Sequence, residues 1–205
     1  MRCSADMSSL ITAIVLSASP VCIELPGLEV LGRVQTLRNP ADLHAARLDA
    51  LGAVRTPWCF FLDDDDELPA DYLDVLQVCA TRADAMAVPL AYTDEILREP
   101  GRADVRRSWY DYDRDRHRCG PMGLHHLVLM RTISAKAAAA RLPRGTYWTE
   151  HMLYWAMGAA GAAYVPRVGY IWNRRANGWS RDPRMLTAQV MARRWIEIEH
   201  REGRA

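Results

Sequence analysis

Apolar positions along the chain change their period several times, and each change predicts an element. Leu10 to Leu16 is an unbroken apolar and β-branched run, the pattern of a buried strand. A Pro26-Gly27 turn leads to a weaker strand candidate, Leu28 to Val34. Asn39 then offers an N-cap, Pro40 suits the first helical position, Leu43, Ala46 and Ala50 recur at helical spacing, and Gly52 is a stop. Trp58 to Leu62 is continuously apolar, as in a strand buried on both faces. Pro69 is predicted to start a helix whose inner stripe is Tyr72, Leu73, Leu76 and Cys79 or Ala80, with Ala85 to Leu90 as the next strand.

From Tyr92 to Gly123 the pattern turns polar, predicting a long connection. Helical spacing returns over Ser134 to Arg141 and from Thr149 to a stop at Gly161. Tyr164-Val165 and Val168 to Trp172 read as short strands on either side of Pro166. A last helix begins with Asp182 as cap and Pro183 at its first position. Its predicted inner stripe is Ala188, Met191, Trp195 and Ile198, and its outer face would pair Arg193 with Glu197 and Glu197 with Arg201. Strands thus alternate with helices, the signature of an α/β sheet whose ligands gather at strand carboxyl ends.

A chain of 205 residues, half of them hydrophobic, suits one compact domain with a real core. Arg2 ahead of the Leu10–Leu16 run has the outline of a signal peptide, but Asp6 cancels its charge and the run is short, so a strand is the better reading. Nothing approaches the roughly 20 apolar residues of a membrane helix, and no span is expected. Cys3, Cys22, Cys59, Cys79 and Cys119 are odd in number and form no C-x-x-C pair, which predicts a reducing, cytoplasmic setting.

The net charge of +1 hides an asymmetry. Residues 1–100 hold 7 Arg against 16 acids, whereas residues 101–205 hold 18 Arg and one Lys against 9. That division suggests an acidic face for a cation and a basic face for phosphate or another polyanion. GC-rich codon usage, which favours Arg over Lys, is the plainer source of the same excess.

Asp63, Asp64, Asp65 and Asp66 follow the Trp58–Leu62 strand directly. Two carboxylates about 4 Å apart repel by roughly 1 kcal/mol in water and about 4 kcal/mol at an effective dielectric of 20. A divalent cation removes that cost, and Mn²⁺ or Mg²⁺ takes oxygen ligands while keeping positions for substrate phosphates. The alternative is an acidic helix start that favours the dipole of the next helix.

The passage from Asn39-Pro40 through Ala46-Arg47, and then from Thr56-Pro57 through Phe60-Phe61-Leu62-Asp63-Asp64-Asp65-Asp66-Glu67-Leu68-Pro69 to Tyr72-Leu73, resembles the "A-R-N … F-L-D-x-D-D-x-[LI]-x-P" stretch of family 2 glycosyltransferases. The resemblance implies a GT-A-like (Rossmann-like) α/β fold, a mixed sheet flanked by helices, with a nucleotide-sugar half at 1–91 and an acceptor half at 92–205. It implies a D-x-D motif in which Asp63 leans toward the donor and, with Asp65, holds the metal. Asp64 and Arg47 would line the same cofactor site, and UDP is the family's commonest nucleotide.

A second passage, Thr149-Glu150-His151 to Gly161 followed by Tyr164-Val165-Pro166 and Tyr170-Ile171-Trp172-Asn173, resembles the family's base helix and last strand. It implies that Glu150 deprotonates the acceptor hydroxyl as it attacks the anomeric carbon with inversion. Three departures stand out. His151 occupies the position of the usual catalytic Asp, leaving the base as Glu150, His151 or both. Asn173-Arg174-Arg175 replaces the usual histidine, and Arg174 and Arg175 become candidates to clamp the diphosphate. The usual start of the family is missing, compressing the nucleotide half.

His125 and His126 lie where the family positions the acceptor, although neighbouring side chains on a strand point apart, and packing is the simpler role. Trp148 and Trp109 join them as acceptor contacts. Trp109, Tyr110 and Tyr112 among six arginines between Arg102 and Arg118 have the composition of a nucleic-acid surface, or of an ordinary charged loop. The expectation is therefore a metal-dependent hexosyltransferase acting on a hydroxyl acceptor, with a hydroxymethylated pyrimidine in DNA as one candidate and saccharide, lipid or protein acceptors as others. A non-catalytic DNA-binding module on a degenerate GT-A fold is the rival.

Overall fold

A computed structural model describes residues 10–17, 23–34, 39–120, 124–175 and 182–203, with the side chains of Arg33 and Val34 outside that set. In chain order the elements are β1 (Ile11–Ser17), β2 (Glu29–Val34), α1 (Pro40–Ala53), β3 (Trp58–Asp63), α2 (Tyr72–Ala85), β4 (Leu90–Arg98), β5 (Val105–Arg107), α3 (Arg114–Cys119), β6 (Val128–Arg131), α4 (Thr132–Ala139), α5 (Thr149–Met157), β7 (Ala163–Asn173) and α6 (Pro183–Arg201). A 3₁₀ turn, Gly158–Ala160, extends α5.

The seven strands form one mixed sheet. β1 lies between β2 and β3, parallel to both. β6 is antiparallel to β3 and β4, β5 is antiparallel to β4, and β7 runs parallel alongside β4 from Ala91 to Arg98. Because side chains alternate along a strand, the sheet feeds two cores. Ile14, Leu16, Cys59 and Phe61 pack on the side of α1, α4, α5 and α6. Ala13, Val15, Phe60 and Leu62 pack on the side of α2, through Val75, Leu76, Cys79 and Ala83. The result is an α/β domain with helices on both faces of the sheet. No helix among the described residues is long and apolar enough to cross a membrane.

α1 is capped as expected, with Asn39 Oδ1 accepting the Asp42 amide at 3.0 Å, and the Leu10–Leu16 run forms the fully buried strand β1. Other expectations shift. Pro69 opens a turn, its carbonyl accepting the Tyr72 amide, and α2 starts only at Tyr72. Ala85 ends that helix, and Ala87 turns the chain at φ 54°, so the predicted strand over Ala85–Leu90 is a helix end and a turn.

The polar stretch after Tyr92 begins as strand, because β4 carries Thr93, Asp94 and Glu95 through the sheet centre at 1% exposure each. The two carboxylates are tolerated there because they are partnered, whereas the Thr93 hydroxyl is buried without a hydrogen-bond partner. Asp94 accepts from Arg106, from the Ser108 and Tyr164 hydroxyls and from the Trp109 amide. Pro166 does not divide β7; a register irregularity beside it, between Val165 and Val168, absorbs the proline. The inner stripe of α6 is Met185, Ala188, Ala192, Ile196 and Glu199, rotated from the predicted one, and Ile198 is half exposed. Glu197 reaches Arg118 of α3.

Cys59, Cys79 and Cys119 are free thiols, and burial pushes Cys59 to about 11 and Cys79 to about 12. Cys3 and Cys22 lie outside the described residues.

Phe60 sits at 0% exposure in the α2-side core. Phe60→Ala is expected to lower the unfolding free energy by about 3–5 kcal/mol in a urea titration.

Candidate active site

β3 delivers the acidic run at its carboxyl end, and its last residue, Asp63, is already half exposed. The turn closes on itself, the Asp66 amide donating to the Asp63 carbonyl at 3.1 Å. β7 then fastens it from across the sheet. The Tyr170 hydroxyl donates to Asp66 Oδ2 at 2.8 Å and accepts the Asp63 amide at 3.2 Å. The Asn173 amide donates to Asp66 Oδ1 at 2.7 Å, and its side chain donates to the Asp65 carbonyl at 2.9 Å. Glu67 exchanges two backbone hydrogen bonds with Ile171.

These contacts separate the aspartates. Asp66 is consumed by the clamp; burial first, and Asp63 second, push its carboxyl up to about 7. Asp65 is raised by the same two causes while Arg175 Nε stands 3.2 Å from its Oδ2. Asp64 is exposed.

Arg47, projected from α1, is 5% exposed and joins two parts of the site. Its Nη2 is 2.9 Å from Asp63 Oδ1, and its Nη1 is 2.6 Å from Glu150 Oε1 at the start of α5. The guanidinium also lies 5.5 Å above the centre of Phe61. Glu150 Oε2 is buried with no hydrogen-bond partner. Burial raises the Glu150 carboxyl, with Arg47 opposing. A carboxylate held by one oxygen and unpartnered at the other is arranged to accept a proton.

The other expected site residues divide. His151 does not join Glu150: it turns into the core, stacks on His117 at 5.3 Å and places Nε2 2.8 Å from the His117 carbonyl. Arg175 reaches the acidic turn, whereas Arg174 lies over Trp172 at 5.3 Å and pairs with Glu99. Trp109 packs against Arg107. Trp148 stands edge-on to His125, with ring centres 5.9 Å apart.

His125 and His126 precede β6 and do not point apart. His126 adopts φ 55°, a left-handed backbone that brings both rings to one side, with their Nδ1 atoms 2.9 Å apart. Glu95 Oε2 is 2.5 Å from His126 Nδ1. Among the described residues, these three form the one group of His, Cys, Asp or Glu whose ligand atoms all lie within 4.8 Å of one another; the aspartates do not converge in that way.

Glu95, Tyr170 and Asn173 were not singled out as site residues in the sequence. Glu95 sits in a segment that reads as surface, and the other two gain their roles only through the pairing of β7. The Arg-rich segment is also quieter than its composition suggests. Arg102, Arg106, Arg107, Arg116 and Arg118 are ion-paired with Glu99, Asp94, Glu95, Asp113 and Glu197, and Arg114 covers Trp155.

Searches with the sequence find no matching family model and no matching curated protein. Solved structures do match. S. aureus TarS 1–349 superposes with a TM-score of 0.55 at 12% identity, over 80% of this chain and 60% of that one. The chain shares the fold of TarS. The TarS complex with UDP-GlcNAc gives 0.58 at 13% over 82% and 60%, and the complex with UDP gives 0.54 at 15% over 80% and 60%. The likeness establishes the expected GT-A-like α/β architecture, over about three-fifths of the TarS fragment's length.

Arg47→Met is expected to cost about 3 kcal/mol, near the lower end for a broken buried pair because Asp63 is half exposed, measured by denaturant unfolding. The pH dependence has a definite sign. Burial lowers His151 to about 4 and holds His117 well below its ordinary value, so the unfolded chain binds more protons than the folded one between pH 6.5 and 4. Stability from these groups is present above pH 6.5 and lost as pH falls through that window. Urea titrations across it should show His151→Gln with a shallower loss than the parent.

Proposed function

We propose that the chain is a glycosyltransferase that moves a sugar from a nucleotide-sugar donor, with UDP-hexoses the first to test, to a hydroxyl acceptor. The observation that carries this reading is the buried Arg47, which fixes the carboxylate at the end of β3 and the carboxylate at the start of α5 into one site. Support comes from the motif around Asp63 and from the shared fold of TarS, a protein solved with UDP-GlcNAc and with UDP.

In this reading Glu150 Oε2, the buried oxygen without a partner, receives the acceptor's hydroxyl proton. The acceptor oxygen forms the new bond to the anomeric carbon with inversion. The bond from that carbon to phosphate breaks, and its electron pair leaves with the nucleoside diphosphate. Asp63 and Asp65 fit Mn²⁺ or Mg²⁺ by the chemistry of their donors, since Asp65 is a crowded carboxylate raised by burial and by Asp63. Such an ion supplies positive charge for the departing diphosphate, and Arg175, already at Asp65, adds to it. Five of the six arginines between 102 and 118 are ion-paired within the chain, which weakens the support that this segment's composition lends to a DNA acceptor.

The test is hydrolysis and transfer with a panel of sugar nucleotides in Mn²⁺, alongside thermal shifts. The parent should turn over at least one donor. Asp65→Asn should abolish metal-dependent nucleotide binding, whereas Glu150→Gln should keep binding and lose transfer by about 10²-fold or more. Absence of both turnover and any metal-dependent shift across the panel overturns the enzyme reading. Transfer by Glu150→Gln at the parent rate removes Glu150 as the base.

A further inference from the structure

We propose that Glu95, His125 and His126 bind one transition-metal dication of zinc's class, at a site separate from the aspartate turn. Three ligand atoms already converge. His126 Nδ1 lies 2.5 Å from Glu95 Oε2 and 2.9 Å from His125 Nδ1, and the remaining edge, His125 Nδ1 to Glu95 Oε2, is 3.8 Å. Ligands roughly 2.0–2.1 Å from a tetrahedral zinc stand about 3.3 Å from one another. The three observed edges bracket that value.

A two-centre hydrogen bond accounts for only one of the triangle's two short edges. An imidazole nitrogen carries either one N–H or one lone pair, in the ring plane. If His126 Nδ1 donates to Glu95, it has nothing with which to accept from His125. If it accepts from His125, its lone pair faces a carboxylate oxygen at 2.5 Å. A cation among the three atoms satisfies two lone pairs and the carboxylate together. A simple Glu–His ion pair would need only one of the two rings.

The surroundings are those of a held ligand set. The left-handed backbone at His126 is what turns two adjacent rings to one side, and local strain of this kind persists where neighbouring structure demands it. His126 stacks on Tyr170 at 4.8 Å and an interplanar angle of 9°, while His125 meets Trp148 and Trp172 edge-on. Arg107 Nη1 donates to Glu95 Oε1 at 2.7 Å, orienting the carboxylate and leaving Oε2 for the ion, as outer partners of metal ligands do. Two imidazoles and one carboxylate select zinc-class ions over Mg²⁺ or Ca²⁺ and leave a coordination position for water or an acceptor oxygen. His125 is the most exposed of the three, its side chain at 25%.

The test titrates the metal-stripped full chain with Co²⁺ and Zn²⁺ and no sugar nucleotide, so its outcome is independent of the transferase reading. The expected result is one equivalent carrying the intense visible absorption of low-coordinate, nitrogen-ligated Co²⁺, whatever binds at the aspartates. Asp65→Asn should leave that spectrum and affinity intact. His125→Gln, and His126→Asn, chosen because Asn tolerates the left-handed backbone, should bind Zn²⁺ at least about 100-fold more weakly. The proposal is overturned if the parent gives only the weak spectrum of oxygen-ligated Co²⁺, if binding disappears in Asp65→Asn, or if both histidine variants bind like the parent. Circular dichroism checks that the variants fold, and should they not, the parent spectrum alone decides.

Discussion

The site depends on one buried cation. Arg47 is enclosed by protein yet keeps its charge, because two carboxylates from different elements meet its two terminal nitrogens. Arg47 and Glu150, both buried, would each be costly in that place unpaired, and the half-exposed Asp63 completes the compensation. The arrangement therefore acts as a register pin: α1, the end of β3 and the start of α5 have one relative position that leaves no charge uncompensated. It also leaves Glu150 with one oxygen bound to Arg47 and the other buried without a partner.

A second constraint comes from β4, where Thr93, Asp94 and Glu95 stand in succession at the middle of the sheet. Asp94 faces Arg106, Ser108, Tyr164 and the Trp109 amide and so organises the segment after β4. Glu95 faces Arg107 and the histidine pair. Buried carboxylates in a sheet are tolerated when they are partnered, and the partners of Asp94 and Glu95 anchor the Val105–Trp109 segment and the histidine pair.

Much of this architecture was legible in the sequence, and the reasons are local. Asn39-Pro40 and Asp182-Pro183 specify helix starts without tertiary help, and the apolar runs of β1 and β3 specify buried strands. Asp63, Arg47 and Glu150 were also named in advance, and they do come together. What stayed hidden was set by distant partners. Thr93-Asp94-Glu95 looks like surface until Arg106, Arg107 and Tyr164 are placed beside it. His125 and His126 look divergent because sequence patterns carry no sign of a left-handed residue at His126. His151 looks like a site residue by its place in the motif, yet α5 turns it toward α3, leaving only Glu150 toward Arg47.

The clamp on the acidic turn spans a long stretch of chain. Asp63 and Asp66 are held by Tyr170 and Asn173, partners 104 to 107 residues away in sequence. Closing a loop of that length carries an entropic cost that local structure cannot offset early in folding. The turn therefore acquires its native shape only when β7 docks beside β4. During synthesis, a chain that has already emitted β1 to β6 would carry its aspartates on an unfastened loop, and the shape of the acidic turn would arrive with the last strand.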